Sequence, residues 1–288
     1  MVIGHQKQWN FLKKVAGTAS FSHAYLFSGP EKLGKRKLAV EWISLLLGEE
    51  IKEPDNHPDL VFIEPQVKEI KISQIKDLIW RLSFTAGEKG VKAAIINDAH
   101  LMNQEAQTCL LKTLEEPRGN VILVLITDKV QKLLPTIVSR AQMIKFYPVD
   151  NEEIKNYLKG QQIPEKSLEE ISRLSMGRPG IALDFISDPQ KINVFHDKIK
   201  EVEKISKANL AFRFRYAKEL SEDVQRTKET LDIWTLYLRE KLIKAVNSQQ
   251  RTKELRKMLH FLQSTSSLIA GTNVNLRLAL ETLMIKLN

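Results

Sequence analysis

At 288 residues, with 43% apolar and 27% charged side chains, the chain is long enough for more than one hydrophobic core and has the balance of a soluble globular protein. No apolar run reaches the length that crosses a bilayer, the amino terminus MVIGHQKQWNFLKK lacks the apolar core of a signal peptide, and the single Cys109 excludes an internal disulfide or a thiolate-pair zinc site. The expectation is a cytoplasmic protein with no membrane partner. The formal charge of +9 permits attraction to polyanions, but much of it lies in the last third, where Lys and Glu alternate as on a solvated helix face.

In chain order, Ala24 to Ser28 reads as a strand, Gly29 to Gly34 as a loop and Lys35 to Leu47 as a helix. Short apolar runs at Leu60 to Ile63, Val91 to Ile96, Val121 to Ile126 and Met143 to Phe146 read as further strands separated by helices. One helix ends near Leu82, with Ser73 as its candidate cap and Ile75, Leu78, Ile79 and Leu82 as a sheet-facing stripe. Another is capped by Asn103 and stops before Pro117. Trp42 and Trp80 read as packing residues, and Cys109, among Leu110, Leu111 and Leu114, as a small core residue. Strands alternating with helices imply a parallel sheet covered on both faces. After Pro148 the strand runs cease; Gly177, Pro179 and Gly180 punctuate a small helical unit, and Asp188 with Pro189 offers a second boundary. The expected organisation is a P-loop α/β domain over residues 1–148, a small helical domain over 149–188 and a larger helical domain over 189–288.

Gly29 to Lys35 spell GxxxxGK between strand and helix, the context a phosphate-binding loop requires. Gly29 and Gly34 let backbone amides curl around phosphate, and Lys35 reaches the outer phosphates. The next residue of an active loop is Ser or Thr, whose hydroxyl binds magnesium; here it is Arg36, a cation that cannot ligate a cation. After the strand at Ala93 to Ile96, an active site places a magnesium-binding aspartate and a catalytic glutamate, whereas this chain has Asn97 and Asp98. These departures predict slow or absent ATP hydrolysis, with Lys35 leaving residual nucleotide binding open.

NDAHLMNQEAQTCLLKTLEEP, from Asn97 to Pro117, resembles the central block of bacterial clamp-loader subunits, LLKTLEEP being its most specific part. SHAYLFSGP from Ser22, HPDL from His57, LLPTIVSRAQ from Leu133 and NVNLRLALETL from Asn273 resemble further family segments, in family order. The resemblance implies an AAA+ module with a small helical lid and an all-α collar that assembles subunits into a ring, within the DNA polymerase III clamp loader that places the sliding clamp on primed DNA. The non-motor, delta-prime-type members are the nearest fit, since motor relatives keep the residues missing here. Motor lids also carry an arginine where this chain has Gly180; Arg178, two positions earlier, is expected to face solvent. The implied partners are the tau/gamma motor subunits and the delta subunit, and indirectly the sliding clamp and primer-template DNA. The implied status is a component of a DNA-directed DNA polymerase holoenzyme without ATPase activity of its own, requiring no cofactor. The four-cysteine zinc module of many relatives has no counterpart in Gly48 to Pro58, so no zinc is expected.

The family writes its arginine motif as SRC, and this chain has Ser139, Arg140 and Ala141. The resemblance makes Arg140 an arginine finger acting in trans on ATP held by a neighbouring motor subunit; the residues alone equally describe a surface arginine closing a helix. Glu115 and Glu116 read either as an intersubunit contact or as a solvated helix end. Helix amino termini near Ser73, Gln74 and Asn103 are candidate donors to DNA phosphates. A motor subunit that tolerates the departures, or a stand-alone DNA-binding module, are the rival readings.

Overall fold

A computed structural model describes residues 3–18, 22–66, 68–84, 90–117, 119–160, 164–248, 252–271 and 274–287. Asn273, the first residue of the carboxyl-terminal segment singled out above, lies outside them. The chain divides into two compact units, Met1–Ala182 and Leu183–Asn288.

In the first unit, β1 (Ala24–Ser28), β2 (Leu60–Ile63), β3 (Lys92–Ile96), β4 (Val121–Thr127) and β5 (Gln142–Lys145) form one parallel sheet in the order β2-β3-β4-β1-β5. All five strands fall within a residue of their expected positions, because runs as apolar as VILVLIT can be satisfied only by burial on both faces. Alternation along β1 divides the core in two. Tyr25 and Phe27 pack with Leu12 of α1 (Gln6–Ala16) and with Leu38 and Trp42 of α2 (Lys35–Leu47). Ala24 and Leu26 face the other way, toward α3 (Ile72–Leu82), α4 (Gln104–Glu115) and α5 (Pro135–Arg140). Parallel register sets Ser28 opposite Thr127 of β4 and Lys145 of β5, so the loop after β1 emerges between two neighbouring strand ends. The same unit continues through α6 (Asn151–Lys159) and α7 (Glu165–Ser175) to the start of α8 (Pro179–Ser187).

Two expectations are corrected here. Ser73 does not cap α3, which already begins at Ile72; Lys71 is the cap residue, and the Gln74 amide oxygen accepts its N–H at 3.1 Å. The longer Gln74 side chain reaches back over the first turn, where Ser73 is already helical. Trp80 is 61% exposed and is not a core residue. It stands two residues past Leu78, about 200° around the helix from that buried position, and meets only the edge of Phe84 at 4.6 Å among described rings. Trp42 is fully buried, and Cys109 packs half-buried against the sheet core.

The second unit holds α9 (Gln190–Lys207), α10 (Leu210–Leu220), α11 (Val224–Asn247), α12 (Lys253–Gly271) and α13 (Leu276–Lys286) around Val202, Leu220, Trp234, Leu262, Leu280 and Met284. Arg213 is buried there, donating to the carbonyls of Ile205, Ser206, Ala208 and Met284 at 2.8–3.1 Å. One guanidinium thus serves carbonyls at the carboxyl ends of α9 and α13, where the helix dipole also favours positive charge. Among the described residues no helix is long and apolar enough to cross a membrane.

Candidate functional site

The loop from Gly29 to Gly34 is gripped on several sides within the first unit. Gly29, at φ 150°, donates to Thr127 O at 3.2 Å, and a Cβ built on it would lie 2.4 Å from Phe146 O, so only glycine fits. His5 Nε2 lies 3.1 Å from Leu33 O, and its ring packs edge-on to Phe146. From the other side Gly180 N donates to Lys32 O at 2.8 Å. A Cβ at Gly180 would come within 2.9 Å of that oxygen. Gly180 is therefore the residue that lets the start of α8 touch the loop.

Lys35 is buried, and its ammonium donates to Gly29 O and Pro30 O, both at 2.6 Å. Burial lowers its pKa, opposed by Asp128, Glu31 and Asp98 and assisted by Arg178. Arg178 does not face solvent as expected: it is half-buried, and its charge acts on Lys35, because docking of Gly180 onto Lys32 brings the start of α8 to the loop. Arg36 is held away from the loop's anion side, its Nη1 3.0 Å from Glu64 Oε1 and its guanidinium 4.5 Å above the Phe62 ring. A guanidinium paired with Glu64 supplies no oxygen that magnesium can bind, so the residue at this position does not fit the metal of an active site.

At the end of β3, Asn97 Nδ2 donates to Asp98 Oδ2 at 3.1 Å, and Asp98 takes a left-handed conformation at φ 49°. Burial raises the Asp98 pKa, reinforced by Glu31 and Asp128 and opposed by Lys35. Beyond β4, Asp128 Oδ1 lies 3.1 Å from Nδ1 of buried His100, and Thr127 Oγ1 lies 3.3 Å from the same nitrogen. Burial lowers the His100 pKa and Asp128 counters it. Sequence reasoning missed Glu64, His100 and Asp128; each is an ordinary polar residue until the strand ends bring it beside the loop.

Arg140, the last residue of α5, lies elsewhere on the unit. Its Nη1 donates to Thr136 O at 3.2 Å, and its Nη2 lies 2.7 Å from Glu115 Oε1 at the end of α4. The two glutamates thus differ: Glu115 has this cation, and Glu116 has no ion pair among the described residues.

The amino ends of α3 and α4 lie side by side, with Asn103 N donating to Ile70 O at 3.2 Å. An open groove of about 720 Å³ there is lined by Ile72, Asn103, Gln104, Glu105, Thr108 and Cys109. Asn103 Oδ1 caps α4 by accepting from Ala106 N, and both ends of the Gln74 amide are engaged, with Lys71 N and with Glu64 O. Ser73 is exposed in the first turn of α3.

Residues 4–150 match the family described as DNA polymerase III, delta subunit. The Pseudomonas aeruginosa DNA polymerase III subunit delta prime is 34% identical over 185 residues, covering 58% of this chain and 56% of the relative. Its Bacillus subtilis counterpart is 38% identical over 155 residues, covering 49% and 47%. The chain thus spans about half the length of these curated relatives. The Bacillus subtilis tau subunit is 28% identical over 219 residues, covering 69% of this chain and 38% of the relative. A crystal structure of a DNA polymerase III gamma-subunit-related protein from Thermotoga maritima has the same fold, with a TM-score of 0.53 at 19% identity over 96% of this chain and 97% of that one. RuvB from the same organism, with a TM-score of 0.52 at 18% identity over 70% and 65%, shares the parallel-sheet architecture. With the family match running through both the phosphate loop and the Arg140 helix, and with delta-prime relatives at 34–38% identity, the chain belongs to the DNA polymerase III delta-subunit family, in its delta-prime form.

Proposed function

We propose that this chain is the non-motor subunit of a clamp loader, a cytoplasmic assembly with tau/gamma-type motor subunits and a delta subunit that places a sliding clamp on primer-template DNA. Its own phosphate loop does not turn over ATP. Arg140 instead completes the site of the adjacent motor subunit. There water attacks the γ-phosphorus as the bond to the β–γ bridging oxygen breaks, ADP leaves, and the proton passes to a base of the motor subunit. The guanidinium stabilises charge that builds on the γ-phosphate oxygens. The three parts expected over 1–148, 149–188 and 189–288 take the roles of module, lid and assembly collar in this reading.

The observation that carries the proposal is Arg36. The residue that should bind magnesium is a guanidinium paired at 3.0 Å with Glu64. Asn97, Asp98 and Gly180 remove further parts of the hydrolytic machinery, while Gly29, Gly34 and Lys35 are retained. DNA contacts, if made by the groove between α3 and α4, run through Ser73 and backbone amides to phosphate rather than to bases, since the Gln74 and Asn103 side chains already serve the backbone.

The rival reading, a motor subunit in its own right, draws on Lys35 and on the tau relative. Magnesium-dependent ATP turnover by the purified chain separates the two. We expect none above background, and turnover abolished by Lys35→Ala would establish the motor reading instead.

A further inference from the structure

The Glu115 carboxylate is on the wrong end of its own helix. It closes α4 at the carboxyl terminus, where the helix dipole disfavours negative charge, so helix stability does not account for it. What it does have is the Arg140 guanidinium at 2.7 Å, brought from 25 positions along the chain by packing of α4 against α5. Thr136 O holds the same guanidinium through Nη1 at 3.2 Å. Contacts through Nη1 and Nη2 engage two of five N–H donors and leave three for another acceptor.

An arginine side chain at a helix end is otherwise free to sample many rotamers, and a finger that must meet a phosphate across an interface loses rate with small misplacement. We infer that Glu115 is a positioning residue, fixing the Arg140 guanidinium in the orientation it presents to the neighbouring subunit's γ-phosphate. This rests on the reading of Arg140 as a finger acting in trans. Exposed at 50% and 36% on the two side chains, the ion pair adds little to the stability of the isolated chain. Its effect emerges on assembly, when the interface excludes water and the same charges interact more strongly.

The test uses the full chain assembled with its motor and delta-type subunits, comparing Glu115→Gln, Glu115→Asp, Glu116→Gln, Arg140→Ala and the double variant Glu115→Gln/Arg140→Ala. The expected result is a drop of about tenfold in kcat for DNA-stimulated ATP hydrolysis with Glu115→Gln, at unchanged KM for ATP and unchanged thermal midpoint of the free chain. Glu115→Asp recovers part of the loss, Glu116→Gln changes nothing, and the double variant is no slower than Arg140→Ala alone. Wild-type kcat in Glu115→Gln beside a slow Arg140→Ala overturns the role of Glu115 and leaves the finger standing. A faster Glu115→Gln complex, additive losses in the double variant, or failure of Glu115→Gln to assemble also overturn it. Full activity in Arg140→Ala removes the finger itself.

Discussion

Two parts of the same α/β unit carry conspicuous cations and use them in opposite ways. At the phosphate loop both cations are engaged by their own unit: buried Lys35 serves the Gly29 and Pro30 carbonyls, and Arg36, at the surface, is paired with Glu64. At the joined ends of α4 and α5, Arg140 is steadied by Thr136 and Glu115 but keeps donors open to solvent. In the proposed reading, the first arrangement is what remains of a site built to hold a phosphate, and the second is a side chain held for use outside the chain. Inheriting a P-loop fold does not oblige a protein to use the loop, and its chemistry can move to the far side of the module.

The comparison can be broken at several places. Arg140→Lys keeps the charge and loses the planar fork; the neighbour's hydrolysis is expected to fall by about 10², measured as kcat of the assembled complex. Gly29→Ala places a methyl 2.4 Å from Phe146 O and should destabilise the first unit by roughly 2–4 kcal/mol, read from denaturant unfolding. Arg36→Ala removes an exposed ion pair and a ring contact, for a loss under about 1 kcal/mol and no change in the complex's ATPase.

The smallest effect concerns Asp98, whose pKa is raised by burial and by Glu31 and Asp128. A folded pKa above the unfolded one means that its contribution is most favourable at acid pH and is lost as pH climbs through the raised value. At neutral pH the charge is therefore a cost. Asp98→Asn relieves it while tolerating the left-handed backbone at φ 49° as aspartate does, so thermal stability should rise slightly at pH 7 and show no gain near pH 3.

Much of this was legible in the sequence because it is local. The five strands are short runs, mostly apolar, between breakers, and Asn103 lies just ahead of its helix. The GxxxxGK loop and Arg36 lie on contiguous residues, and Asn97 and Asp98 directly follow a strand. What was not legible depends on the third dimension. Trp80 looks like a core residue until the side of α3 that meets the sheet is known. Ser73 is a sound cap by type, yet Gln74 closes the turn onto Lys71, two positions before it. Arg178 reads as solvent-facing until Gly180 is seen against Lys32, and the Arg140–Glu115 pair joins helix ends that no periodicity connects.

The most direct test of the central claim builds two otherwise identical clamp-loader complexes, one with Lys35→Ala and one with Arg140→Ala in this chain, and measures their DNA-stimulated ATP hydrolysis side by side. The account predicts that the Lys35→Ala complex runs at the wild-type rate, while the Arg140→Ala complex loses about 10³ or more at the site it serves. A slow Lys35→Ala complex beside an unaffected Arg140→Ala complex would contradict it.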